Sequence, residues 1–381
     1  MRRSTSTASD DHSAIQETAE TRSVRLWQRF WAAVIRALSR IEWVFDWIRW
    51  GLRRRFGRLG PLQILAFRSF GTGQNVVVRG RVLEASALER SLPADTRLRN
   101  FRRMLRRFNS REVPAVRVRA FFGEKTTEGC TDDEGYFELF LDRPDAPPDA
   151  PDWHSAQVQV VDCPIRGFVP VHAAAEILTP APEVEFGIIS DIDDTVLQSH
   201  VTQKLKMIWV TLSGSPFTRM PFEGTTELYE ALSAGASGVA KNPVFYVSKS
   251  PWNLYDFLID FMDHHCLPRG PLLLRDIGLH EASPLDHKSA AVRRLLETYP
   301  DLRFVLIGDS GERDPDIYLA TAARYPGRIA AIYIRDVGGK RGHESRAAQA
   351  CEQAARLGTE MLWVKHASEA LAHARSRGLT R

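Results

Sequence analysis

The chain has 381 residues, 44% of them hydrophobic and 26% charged, with a formal net charge of +4. That length exceeds what one ordinary core organises and points to two folded units, while the composition excludes a low-complexity or wholly disordered chain. Four cysteines, Cys130, Cys163, Cys266 and Cys351, lie far apart with no CxxC spacing, which excludes a disulfide framework and fits a reducing, cytoplasmic setting.

Residues 1–22 are polar, without the apolar run of a secretory signal, and are expected to be disordered. A basic amphipathic helical region is expected over 23–72. Trp27, Trp31, Val34, Leu38, Ile41, Phe45, Ile48 and Leu52 recur at helical spacing among Arg25, Arg29, Arg36, Arg40, Arg49 and Arg53 to Arg55. A membrane span needs about 20 mostly apolar residues, and arginines interrupt every such window. The pattern instead suits a helix lying on an anionic membrane surface through residues 23–56, or one packed against protein. A second basic stretch, with Leu98, Phe101, Leu105 and Phe108 among Arg99, Arg102, Arg103, Arg106 and Arg107, tips the reading toward the membrane. That implies a location peripheral on the inner face of the membrane; nucleic acid is not an expected partner.

Residues 73–182 change period. Val76 to Val82, Ala115 to Phe122, Tyr136 to Leu141 and Gln157 to Val161 are short runs rich in Val, Phe and Tyr, separated by turn signals such as Asp132-Asp133-Glu134-Gly135. A small antiparallel β-sandwich with one helical insertion is expected, without a catalytic cluster of its own.

Residues 183–381 switch to apolar strands alternating with helices, the mark of an α/β domain with a parallel sheet covered on both faces. Strands are expected at Phe186 to Ser190, Val244 to Ser248, Leu272 to Leu274, Arg303 to Ile307, Ile329 to Ile334 and Met361 to Val364. Ligands of such sheets bind beyond the carboxyl ends of the strands, and polar clusters lie where these runs stop. The first ends in Asp191-Ile192-Asp193-Asp194-Thr195, the second in Ser248-Lys249-Ser250-Pro251 and the fourth in Gly308-Asp309-Ser310-Gly311-Glu312-Arg313-Asp314; Lys288 opens the helix before the fourth. With only 8 Lys against 43 Arg in the chain, a lysine at that place is not background. An Asp-rich loop is more often a solvated turn or a calcium site, but the EF-hand spacing of Gly and Glu is missing. His264-His265-Cys266 lacks partners at zinc-like spacing, and Trp252 and Asn253 either touch substrate or cap the following helix, the cap being favoured.

The order DxDxT, strand-terminal Ser, Lys, GDxxxxD resembles the haloacid dehalogenase superfamily. The phrases FGIISDIDDTVLQS, FYVSKSPWNLYDFL, HK and FVLIGDSGERDPDIY resemble, within it, the magnesium-dependent phosphatidate phosphatases of the fungal actin-patch type, which are related to the lipins. The likeness is close over about Phe186 to Val337 and looser before it, in the manner of the bacterial members. It implies a Rossmann-like, haloacid dehalogenase-like sheet with minimal cap, and a Mg2+ cofactor. Asp191 would be the nucleophile and Asp193 the general acid and base. Ser248 and Lys288 would serve the phosphoryl group, with Asp191, Asp193 (through its carbonyl) and Asp309 on the metal, supported by Asp314. These residue types suit the chemistry, because a phosphate dianion repels nucleophiles unless a carboxylate is aimed at it and a cation offsets the charge.

The implied reaction cleaves phosphatidate to diacylglycerol and phosphate, with a phospholipid as substrate. The short stretch between Thr195 and Phe222 leaves little room for a large cap, which suits a bulky headgroup. Two rivals stand: a phosphatase for a soluble phosphomonoester, and a catalytically silent lipid sensor, which the presence of all the acidic motifs disfavours.

Overall fold

The computed structural model describes residues 60–84, 113–143, 152–165, 168–192, 224–275, 284–337 and 343–381. The helix expected at 23–56 and the insertion around 98–108 lie outside these, as do Asp193, Asp194 and Thr195. Among the described residues no helix is long and apolar enough to cross a membrane.

The C-terminal half is a six-stranded, wholly parallel sheet. Its strands are β9 (Gly187–Asp191), β10 (Val244–Pro251), β11 (Leu272–Arg275), β12 (Phe304–Asp309), β13 (Ile329–Arg335) and β14 (Met361–Val364), ordered β11-β10-β9-β12-β13-β14. Every residue of β9 and β12 is buried, as central strands covered on both faces require. Alternation divides them: Ile188, Val305 and Ile307 pack on one side against α1 (Thr225–Ala234), α2 (Tyr255–His264) and α6 (Ala367–Ser376). Ile189 and Leu306 pack on the other against α3 (Pro284–Thr298), α4 (Asp314–Arg324) and α5 (His343–Arg356). The chain winds outward from β9 through β10 to β11, then returns to lay β12 on the opposite side of β9. The switch point, where such sheets hold their ligands, therefore falls between β9 and β12.

The N-terminal strands are β1 (Leu62–Ala66), β2 (Ser69–Gly71), β3 (Asn75–Glu84), β4 (Arg117–Phe122), β5 (Lys125–Cys130), β6 (Tyr136–Asp142), β7 (Trp153–Asp162) and β8 (His172–Leu178). Two expectations are corrected here. The helical region drawn to residue 72 overran, because residues 62–71 form β1 and β2: Pro61 opens the segment, and Leu62 and Ile64 alternate inward as strand residues do. The strands also do not form a purely antiparallel pair of sheets. All eight are linked by hydrogen bonding into one sheet, which is mixed because β2 pairs with β8 in parallel.

Gly60–Cys163 and Phe168–Arg381 form one compact unit, and aromatic packing fastens the β-module to the parallel sheet. Phe67 stacks on Trp252 at 4.4 Å between ring centroids, Phe70 meets Phe245 edge-on at 5.8 Å, and the Tyr299 hydroxyl donates to the Gly71 carbonyl at 3.0 Å. Asn253 is not a cap: its Oδ1 accepts from Arg81 at 3.1 Å and from the Tyr136 hydroxyl at 3.3 Å, and no side chain caps α2 or the short turn before it. Trp252→Ala empties a buried aromatic seat and is expected to cost about 3–5 kcal/mol, read as a fall in the denaturation midpoint; a loss under about 1 kcal/mol would mean that the module is only loosely attached.

Candidate active site

Two strand ends, one position in the last half of β10 and one helix bring four polar side chains to the switch point. Asp191 closes β9, and β10 pairs Val247 with Asp191, so Ser248 stands one residue beyond it. Asp309 ends β12, whose Ile307 pairs with Ser190. Gly308 has a local reason: a Cβ there would collide with the Asp314 carboxylate, so only glycine lets α4 bring Asp314 against the strand. Lys288 comes from the first turns of α3.

The Lys288 ammonium is the hub. It lies 2.9 Å from Asp191 Oδ1, 3.1 Å from Glu312 Oε2 and 2.5 Å from Asp314 Oδ1, with its side chain 0% exposed. Its N–H groups donate to Glu312 and Asp314, while Asp191 faces it as an ion-pair partner. Burial alone would discharge it; Asp191 and then Asp314 outweigh that and hold its pKa well above the ordinary lysine value.

The carboxylates of Asp191, Asp309, Glu312 and Asp314 each offer an oxygen within 4.8 Å of the others. Asp314 is fully engaged, Oδ1 on Lys288 and Oδ2 on the Asp309 backbone N–H at 3.2 Å. Asp309 Oδ1 accepts from the N–H groups of Gly311 at 2.6 Å and Glu312 at 2.9 Å, whereas its Oδ2 is buried with no hydrogen-bond partner among the described residues. Burial, then the charges of Asp314 and Glu312, push Asp309 up to about 6. Asp314 is also raised, by burial, although Lys288 opposes the shift. Glu312 moves the other way: burial raises it, but Lys288 and then Lys249, whose Nζ lies 2.7 Å from Oε2, bring it below the usual carboxylate value.

Four carboxylates against two ammonium groups leave two negative charges in excess. A buried oxygen without a donor, hard oxygen ligands and that charge deficit all fit a divalent cation such as magnesium.

The described motif residues Asp191, Ser248, Lys288, Asp309 and Asp314 thus converge. Ser248 is buried and its Oγ accepts from the Ser250 N–H at 2.9 Å. Asp193 lies outside the described residues. Glu312, inside the GDxxxxD motif, has no role that the motif alone reveals; the structure shows Lys249 and Lys288 converging on it. Ser190 was passed over too; its hydroxyl donates to the Asp191 carbonyl at 2.8 Å and meets the buried Tyr229 hydroxyl, tying α1 to the end of β9.

Residues 186–336 match the family model described as phosphatidate phosphatase APP1, catalytic domain, which bears out the resemblance carried by the motifs. Phosphatidate phosphatase APP1 of Saccharomyces cerevisiae is 29% identical over 180 residues, 46% of this chain and 30% of the yeast protein. An uncharacterized protein of Schizosaccharomyces pombe is 33% identical over 155 residues, 39% of this chain and 25% of that protein. The chain therefore spans less than a third of the length of these curated relatives. Among solved structures, a carbohydrate acetylesterase from Xanthomonas citri aligns over 83% of this chain and 75% of its own at 10% identity, with a TM-score of 0.31.

Proposed function

Starting from that catalytic-domain match, we propose that the protein is a magnesium-dependent phosphatidate phosphatase with a haloacid dehalogenase-like core, working through an aspartyl-phosphate at an anionic membrane surface. The observation that carries the reading is the buried Asp191–Lys288 pair, set among three further carboxylates at the switch point of a parallel sheet.

Each residue then has a task. Lys288 stands against Asp191 Oδ1 as its ion-pair partner, and the carboxylate attacks phosphorus while the bond to the lipid oxygen breaks. Asp193 donates its proton to the leaving alkoxide, giving diacylglycerol. It then takes a proton from the water that attacks the aspartyl-phosphate, which releases phosphate and restores Asp191. Ser248 donates to a phosphoryl oxygen. Asp191 and Asp309, with the Asp193 carbonyl, would hold magnesium while Asp314 orients Asp309. The cation would supply charge neutralisation on the phosphoryl oxygens.

The test is phosphate release from phosphatidate in mixed micelles, with magnesium and with chelator. Magnesium-dependent release supports the assignment. Release only from a soluble aryl phosphate keeps the phosphatase and overturns the lipid substrate; release from neither overturns both. Deleting residues 23–56 is expected to abolish binding to anionic liposomes and leave aryl phosphate turnover intact, and unchanged liposome binding would end the membrane role of that segment.

The cation should also appear in stability. Without it, the folded chain protonates Asp309 at about 6 against an ordinary 3.8. Between those values the folded state holds more protons than the unfolded one, so this group's contribution to stability falls as pH rises through the window. A bound cation favours the ionised carboxylate and reverses that preference. Magnesium is therefore expected to raise the melting temperature by several degrees at neutral pH, and by progressively less below about pH 6. An equal rise on both sides of the window would locate the cation elsewhere.

A further inference from the structure

We propose that Arg81, in the β-module, is a positioning residue for the phosphoryl-binding segment Ser248–Ser250, acting on it through Asn253. The inference rests on the phosphatase reading and extends the working parts of the site to a side chain outside residues 186–336, the matched catalytic domain.

The parallel sheet does not keep that segment in register. β10 pairs with β9 as far as Val247 and Asp191. With β11 it pairs Val247 with Leu273 and resumes only at Pro251 and Arg275, so Ser248, Lys249 and Ser250 stand opposite the single Leu274. A bulge of this kind re-aims the side chains it carries, and here it carries the serine assigned to the phosphoryl group. Within it the Ser250 N–H bonds the Ser248 Oγ at 2.9 Å, so a shift at the far end passes directly to that hydroxyl. The near end is fixed by the central strands. The aim of Ser248 therefore depends on what fixes the far end.

The β-module supplies that hold. Trp252 meets Phe67 at 4.4 Å between ring centroids, and the Arg79 guanidinium at 4.9 Å. Beside it, Asn253 Oδ1 accepts from Arg81 Nη1 at 3.1 Å and from the Tyr136 hydroxyl at 3.3 Å. Arg81 Nε donates in turn to the Glu134 carbonyl at 2.8 Å, and its guanidinium lies 4.4 Å from the Tyr136 ring centroid. Arg81 and Tyr136 are direct cross-strand partners on β3 and β6, so both donors to Asn253 come from one ladder. Ring stacking alone lets Trp252 slide; a planar guanidinium with donors aimed at two fixed acceptors does not. Arg81 is only 3% exposed. Where cohesion is the sole need, apolar side chains of similar volume serve as well as a buried charge, so this guanidinium is placed for direction.

The test compares the full-length native chain with Asn253→Ala, Arg81→Met, Arg81→Lys and the double variant Arg81→Met/Asn253→Ala, all with magnesium. For each, kcat and KM on a soluble aryl phosphate are measured at a temperature where the thermal midpoint shows the protein folded. Asn253→Ala, which leaves Arg81 its bond to Glu134, is expected to lower kcat about 10- to 100-fold with KM changed by less than about threefold. Arg81→Met is expected to do the same, Arg81→Lys to recover part of the loss, and the double variant to lose no more than the worse single one. Should Arg81→Met fail to fold, Asn253→Ala and Arg81→Lys decide. A residue that merely braces the seam would lower the midpoint and leave kcat of the folded variants within about twofold of native, and one that acts apart from Asn253 would give losses that add; either result overturns the inference while the phosphatase reading stands. A native chain that turns over no ester overturns both.

Discussion

Asp191→Asn is expected to reduce phosphate release by at least about 10^4-fold while leaving a folded protein. The amide is isosteric but has no charge with which to attack phosphorus. The fold should survive because Lys288 keeps Glu312 and Asp314 as partners, at 3.1 Å and 2.5 Å, so no buried ammonium is stranded. Comparing turnover with the thermal unfolding midpoint separates the two effects. Activity within tenfold of native would remove Asp191 as nucleophile, and total loss accompanied by unfolding would mean that the carboxylate holds the site together.

Lys288→Met reverses the balance, with its larger effect on stability. It removes the buried cation shared by Asp191, Asp314 and Glu312 and leaves the charges of the buried Asp191 and Asp314 and the half-buried Glu312 to repel one another. Breaking a buried pair from one side costs about 3–5 kcal/mol. The pH dependence has a definite sign. A lysine whose folded pKa is raised gives its full stabilisation at any pH below the ordinary lysine range and loses it only as pH rises through the raised value. The native contribution is therefore flat through neutrality. In the variant, carboxylates without their lysine protonate more readily, so the deficit should be largest near neutral pH and shrink toward acid. Denaturant midpoints at two pH values check this; a deficit that grows on acidification would contradict the electrostatic account.

The parallel sheet was legible because burial on both faces writes each strand as an unbroken apolar run. Phe304 to Ile307 is one such run, and the polar Gly308-Asp309 at its end marks the site. The β-module was harder to read. β5, Lys125–Cys130, is a largely exposed strand of sequence KTTEGC with no hydrophobic alternation, and β8 has three consecutive alanines that give no period. β1 and β2 followed a Trp- and Arg-rich pattern whose helical period was extended past its end. Helix α5, rich in Ala and Gln, buries only a thin stripe that includes Ala350 and Ala354. Asn253 was misread because a cap is a local signal, whereas its partners Arg81 and Tyr136 lie far away along the chain. Asp191, Ser248 and Asp309 were visible as polar groups at or near strand ends, and Lys288 and Asp314 as the helix residues that follow the same motif order; Glu312 was not, since a lone glutamate in an acidic loop announces its role only when two lysines are seen to converge on it.

The Phe67–Trp252 stack and the Asn253 bonds bear on portability. The matched catalytic domain begins at Phe186, which invites treating that point as the start of a transplantable cassette. Cutting there would bare Trp252 and Tyr255, only a few positions beyond Ser248, and Tyr299 at the far end of α3; the covers of all three come from residues 67–71. A fusion or minimal enzyme built from this chain should therefore start ahead of Leu62, and the transferable unit is longer than its recognisable signature.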